Sequence, residues 1–172
     1  MAIKRFIISC LISIANTLAN IEFDLLSENG VQYSILRKIY LKLMLVNFST
    51  YRFGKHIYIK KRGNLNLGQN VRIGSFTKIW NYSLVEIGDN FLAAGCLTLN
   101  TGTHDVDTLD ARSESIKIGN NVWCGVNVTI LSGVSIGNNC VIGAGAVVTN
   151  SIPDNSIAVG IPAKVIKEKK ND

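Results

Sequence analysis

This 172-residue chain has two histidines, His56 and His104, the residue type most often used for acid–base chemistry. His104 lies in residues 100–115, the most acidic stretch of the chain, with Asp105, Asp107, Asp110 and Glu114 around it. A neutral imidazole can take a proton from a weak nucleophile, and carboxylates are among the groups that orient such a ring. His56 is far from this stretch, before the repeats begin, and reads as a surface or cap residue. The four cysteines, Cys10, Cys96, Cys124 and Cys140, form no CxxC pair. They suit small buried hydrophobes in a reducing cytoplasm better than a disulfide framework or a metal site.

The elements that must hold His104 come from a repeated phrase, apolar–x–apolar–Gly–x–Asn. Its glycines are Gly68, Gly88, Gly119 and Gly137. Between copies, apolar residues recur every six positions: Leu67, Ile73, Ile79, Val85; Ile87, Ala93, Leu99; Ile118, Cys124, Ile130, Ile136, Ile142, Val148. A six-residue period fits neither an α-helix nor a plain strand and marks a β-solenoid. Three hexapeptides make a coil of 18 residues with three short strands, hence a triangular prism. A second set of positions is expected inward: Val71, Thr77, Ser83, Leu97, Thr103, Val128, Val134 and Ala146. Glycine is expected where the backbone turns sharply and a Cβ would crowd it, and asparagine where the chain turns left-handed. The steps between the phrase glycines are 20, 31 and 18 residues. The first coil therefore carries two extra residues. The second carries thirteen, an arm at residues 100–115 expelled from a rigid scaffold, where function is expected.

Residues 1–50 differ in texture. Residues 6–21 are uncharged and largely apolar after Lys4 and Arg5, too short and polar for a clear membrane span and compatible with a signal peptide. The favoured reading is a helix packed on a partner or on a membrane face. Val31, Ile35, Leu36, Ile39, Leu43 and Val46 form an apolar helical stripe opposite Arg37, Lys38 and Lys42. That helix either caps the solenoid or sets residues 1–46 peripherally on anionic lipid. The domains expected are a helical segment 1–50, a solenoid 51–166 and a charged tail 167–172. Apolar residues make up 47% of the chain, enough for a core, and the net charge of +6 favours an anionic partner. Of a phosphorylated cofactor, a membrane surface and nucleic acid, nucleic acid is the weakest candidate and is not expected, because the solenoid half has few aromatics and no clustered basic stripe.

Residues 85–166 resemble the hexapeptide-repeat acetyltransferases. The resemblance runs through Val122-Trp123-Cys124-Gly125-Val126-Asn127-Val128-Thr129-Ile130, Gly133 to Gly137, Val141 to Gly145, Val148-Thr149 and Gly160-Ile161-Pro162-Ala163-Lys164. It implies an all-β solenoid, a left-handed parallel β-helix, behind a short α-helical N-terminal segment. Thr101-Gly102-Thr103-His104-Asp105 is similar to the form found in polysaccharide O-acetyltransferases of the colanic-acid and capsule type. It implies His104 as general base, with Asp105, Asp107 or a backbone carbonyl fixing the ring. The donor implied is acetyl-CoA, with no metal, in a groove between neighbouring subunits of a homotrimer. Backbone groups of Val126 and Ala144 would hold the pantetheine arm, Trp123 would flank the active site, and Thr149 would lie near the adenosine end. Lys164 and Lys167 would meet the phosphates as point charges. Related maltose and galactoside enzymes carry an acceptor-site Asn where this chain has Phe76, with Asn81 some residues on.

The function expected is cytoplasmic transfer of an acetyl group to a sugar of a surface polysaccharide or its lipid-linked precursor. A serine O-acetyltransferase is the first alternative, but about 50 residues is short for the helical domain of that branch. A carbonic-anhydrase-like zinc site needs three histidine ligands. A non-catalytic β-helix scaffold is the remaining alternative.

Overall fold

The computed structural model describes Cys10, Leu11, Ile14 and residues 51–61 and 63–169. The chain divides into two units, Met1–Phe48 and Ser49–Asp172. In the first, Cys10, Leu11 and Ile14 are helical and exposed. The helix expected over residues 31–46 and its membrane contact lie outside the described residues. Among the described residues, no helix is long and apolar enough to cross a membrane.

The second unit is a parallel β-solenoid of short strands. The first coil carries β1 (Arg52–Phe53), β2 (Tyr58–Ile59) and β3 (Leu65–Leu67). The second carries β4 (Arg72–Ile73), β5 (Lys78–Trp80) and β6 (Val85–Ile87). The third runs through β7 (Leu92–Ala93), β8 (Thr98–Asn100), an outlying pair β9 (Gly102–His104) and β10 (Ala111–Ser113), and β11 (Ile116–Ile118). The fourth has β12 (Trp123–Cys124), β13 (Thr129–Ile130) and β14 (Ser135–Ile136). β15 (Val141–Ile142) and β16 (Val147–Val148) follow, and β17 (Ser156–Val159) and β18 (Lys164–Glu168) end the fold.

The strands stack into three faces. The first is ordered β1-β4-β7-β12-β15-β17-β18, the second β16-β13-β8-β5-β2 and the third β14-β11-β6-β3. Every pair on these faces is parallel except β17 with β18. β18 includes Lys167 and Glu168, so the sheet runs past the expected boundary at 166. His56 falls inside the first coil, not before it, and its ring stacks on Phe76 with centroids 4.8 Å apart.

The six-residue period is the price of a two-residue strand plus a corner. Each two-residue strand presents one side chain inward and the three-residue β6 and β11 present two, and register stacks like positions of successive coils. Ile59, Ile79, Leu99, Ile130 and Val148 form one such column, and Ile73, Ala93, Cys124, Ile142 and Ala158 another, all buried. Each large aliphatic member contributes about 1.5–3 kcal/mol by leaving water. Of the second set of expected inward positions, Ser83 is only half-buried and Thr103 is exposed, because both lie in the inserted residues. The other six are buried.

Each edge of the prism has its own chemistry. At the edge joining the third face to the first, Asn70, Asn90, Asn121, Asn139 and Asn155 take positive φ between 54° and 57°. Their amides form a ladder, each Nδ2 donating to the Oδ1 one coil on, at 3.0 to 3.1 Å. The glycines of the phrase serve close approach instead: a Cβ on Gly119 would sit 2.8 Å from the Gly137 carbonyl carbon one coil on. Both insertions read from the spacing fall on the edge joining the second face to the third. There Ile59 to Leu67 and Ile79 to Ile87 span eight residues, whereas Ile130 to Ile136 spans six.

Candidate active site

The expected loop at residues 100–115 is an antiparallel hairpin. His104 pairs with Ala111, Thr103 with Arg112 and Gly102 with Ser113. Its root is Thr101, fully buried, whose Oγ1 donates to the Trp80 carbonyl at 3.0 Å and accepts the Ser83 N–H at 2.9 Å. The Thr101 carbonyl accepts the Glu114 N–H at 3.0 Å and the Ser132 hydroxyl at 2.8 Å, closing the neck of the arm. A cavity-free contact lies next to it: a Cβ on Gly102 would meet the Tyr82 ring at 2.8 Å, so glycine lets that ring pack on the arm.

The tip of the arm is organised by Asp105. Its Oδ1 accepts the N–H groups of Asp107 and Thr108, both at 3.0 Å. Its Oδ2 meets Arg112 Nη2 at 2.7 Å. The backbone N–H groups of Thr108 and Asp107 hold the Asp105 carboxyl below its ordinary 3.8. Among the described residues, neither Asp105 nor Asp107 bonds to the His104 ring, and the Asp105 oxygens are engaged within the arm.

His104 is exposed and lines a pocket of about 500 Å³. Lys61, Trp80, Tyr82 and Asn100 form part of its wall, with Arg112 of the arm completing it. Sequence reading missed these four wall residues and Arg112. The two extra residues of the first repeat step were the available signal, since they enlarge the corner that carries Tyr82. Asn81 is no acceptor ligand here. It is fully buried, its Nδ2 donates to the Lys61 carbonyl and its Oδ1 accepts the Lys61 N–H, both at 2.8 Å. Phe76 lies on another edge, exposed, at φ 61°.

The residues assigned to acetyl-CoA are apart from this pocket within one chain. Val126 and Ala144 lie, exposed, on the edge joining the first face to the second, across the second face from the arm. Among the described residues, the N–H of Val126 and both backbone groups of Ala144 have no protein partner, as a contact to an amide-bearing chain requires. Trp123 is half exposed on the first face, and Lys164 and Lys167 lie exposed on β18 of that face. Thr149 is exposed two coils beyond the arm on its own edge, its Oγ1 accepting from Asn150 Nδ2 at 3.1 Å. These donors and cations suit a thioester with an amide arm and phosphates. Among the described residues no cluster of His, Cys, Asp or Glu suits a metal ion.

Residues 115–150 match the family model described as bacterial transferase hexapeptide (six repeats). A crystal structure of a maltose O-acetyltransferase from Clostridium difficile 630 superposes with a TM-score of 0.81 at 30% identity, over 93% of this chain and 85% of that one. The chain belongs to the hexapeptide-repeat acetyltransferases. A galactoside acetyltransferase in complex with coenzyme A shares 34% identity with this family member, over 91% of this chain and 80% of that one, with a TM-score of 0.72. The galactoside O-acetyltransferase of Escherichia coli K12 is 40% identical over 126 residues, which are 67% of this chain and 62% of that relative. The match thus spans under two thirds of that relative's length.

Proposed function

We propose that this hexapeptide-repeat protein transfers an acetyl group from acetyl-CoA to a sugar hydroxyl, with His104 as general base. The observation that carries the reading is the position of His104, on a paired hairpin arm and lining a pocket of about 500 Å³. Acetyl-CoA supplies the acyl group as an activated thioester. His104 takes the hydroxyl proton while the sugar oxygen bonds to the acetyl carbon, and returns it to the sulfur as the carbon–sulfur bond breaks. The products are an O-acetyl sugar and the free thiol. General-base assistance of this kind is worth roughly 10²–10⁴-fold.

Asp105 serves as a positioning residue for the arm rather than as the partner of the ring. The separation of the arm from Val126 and Ala144 supports a site shared between subunits, hence a homotrimer in which one subunit brings His104 and its neighbour the donor groove. The acceptor is a sugar of a surface polysaccharide or its lipid-linked precursor, met in the cytoplasm, with residues 1–46 at the inner membrane face. The resemblance of the His104 motif to capsule-type enzymes supports that choice.

The test is thiol release from acetyl-CoA with glycan acceptors. His104→Ala should lose two to four orders of magnitude in turnover with an unchanged melting temperature, because the arm lies outside the packed coils. Retained turnover would remove His104 from its role. Absence of release with every acceptor would favour the scaffold reading.

A further inference from the structure

The lining that surrounds His104 has a charge and a shape that the transferase reading does not use. Lys61, Trp80, Tyr82, Asn100 and Arg112 form part of it, and among the described residues none of the lining groups is acidic. Arg112 shares its charge with Asp105, but one ion pair leaves most of its five N–H donors open. Lys61 has no carboxylate partner among the described residues. Its Nζ donates to the Tyr82 carbonyl at 3.3 Å and stands 5.8 Å from the Tyr82 ring centroid. Lys60 approaches the same ring, with Nζ at 5.9 Å.

This cation is placed rather than merely present. The buried Asn81 amide grips both main-chain groups of Lys61, as a neighbouring strand would. Asn64 Nδ2 donates to the Tyr82 carbonyl at 3.0 Å and ties the two enlarged corners together. Tyr82 backs onto Gly102 of the arm, and Trp80 rests on Tyr58 with ring centroids 4.8 Å apart. Two supported aromatic faces offer the apolar surface that a pyranose ring buries through its C–H groups. A cation beside the Tyr82 ring selects for negative charge, because an anion in this pocket gains a full ion pair with Lys61, whereas a neutral sugar offers only an uncharged acceptor.

We infer that the acceptor pocket takes a pyranoside bearing an anionic substituent, a carboxylate or a phosphate, with Lys61 as the specificity-determining residue. The inference rests on the transferase reading for the word acceptor, but its binding test does not.

Binding to the full chain is measured by titration calorimetry at low and high salt. The probes are methyl glucuronide, glucose 1-phosphate and methyl glucoside. At low salt at least one anionic probe should bind about tenfold more tightly than the neutral one, the worth of one charge-assisted hydrogen bond. The tighter of the two identifies carboxylate or phosphate as the source of the charge. Salt should erode the preference, and Lys61→Met should abolish it. This substitution keeps the apolar stem, and the corner holds because Asn81 grips the Lys61 main chain and Asn64 still donates to the Tyr82 carbonyl that loses the ammonium. Equal binding of methyl glucoside, or a preference unchanged in Lys61→Met, overturns the inference, and the salt series on the unaltered chain tests it independently of the variant. Anionic preference without thiol release from acetyl-CoA would support the pocket assignment and remove the transferase reading. Thiol release restricted to neutral acceptors would do the reverse.

Discussion

Asp105 and Arg112 join the two sides of the arm through a 2.7 Å contact between Oδ2 and Nη2. The same carboxylate caps the turn between those sides through its other oxygen. The residue next to His104 thus holds the arm in shape while its own oxygens make no bond to the ring.

Removing that carboxylate should loosen the arm without unfolding the coils. Asp105→Ala removes all three contacts of the carboxylate and should speed amide exchange at Asp107 and Thr108 and lower turnover about tenfold, with the KM for acetyl-CoA little changed. Asp105→Asn, which keeps an acceptor for the turn, should fall between. Exchange rates equal to those of the unaltered protein would end this account.

The pH dependence of the arm has a defined sign. The Asp105 carboxyl is held below 3.8 in the folded protein, so its contribution is present above that value and is lost as pH falls through the lowered one. Protection of the Thr108 amide should stay level from neutral pH down through the ordinary carboxylate range. It should decline only in stronger acid. A decline already near neutral pH would point to another group.

The asparagine ladder predicts a graded loss of stability. Asn121 stands at φ 57° and shares ladder bonds with Asn90 and Asn139. Asn121→Ala should cost about 2–3 kcal/mol, from left-handed backbone strain plus two hydrogen bonds on an exposed edge. Asn121→Gly should recover the strain and cost roughly 1 kcal/mol less or better. Urea unfolding of the two variants separates the terms, and equal losses would show that backbone conformation does not matter there.

The core should reject charge. Ile130 is fully buried between Leu99 and Val148 in register. Ile130→Asp places an unpaired carboxylate in that column and should yield no folded product, whereas Ile130→Val should cost about 0.5–1.5 kcal/mol. Circular dichroism and size-exclusion profiles check both.

Thiol labelling should divide the cysteines. Cys124 is buried, and burial followed by the neighbouring Cys140 pushes its thiol up to about 12. Cys140 is raised as well, chiefly by burial. Cys10 and Cys96 are exposed. A thiol reagent at neutral pH should label the exposed pair in the native protein and reach Cys124 and Cys140 only in denaturant. Rapid native labelling of Cys124 would contradict the packed column.

The chain's repetition made its scaffold legible. Apolar residues at six-residue spacing can bury themselves only if successive coils stack, so Ile79, Leu99, Ile130 and Val148 announce their column before any coordinate is known. The phrase Gly–x–Asn announces one edge, because a close approach and a left-handed turn leave few alternatives at those two positions. The uneven steps of 20 and 31 residues located the arm for the same reason: a strict period makes every surplus residue visible. Sequence also singled out His104, the one imidazole inside that surplus.

Only the tertiary structure decided how the surplus folds and what faces it. Thr103 follows the inward period in sequence yet lies exposed, because pairing with Arg112 across a hairpin overrides a repeat that has been interrupted. Asp105 looked like a partner for the His104 ring by adjacency, but two turn N–H groups and a guanidinium claim its oxygens first. Lys61, Trp80 and Tyr82 gave no local sign of function. They reach the pocket because two coils enlarge the same edge, and which edge a surplus residue enlarges is set by the stacking register of the whole prism.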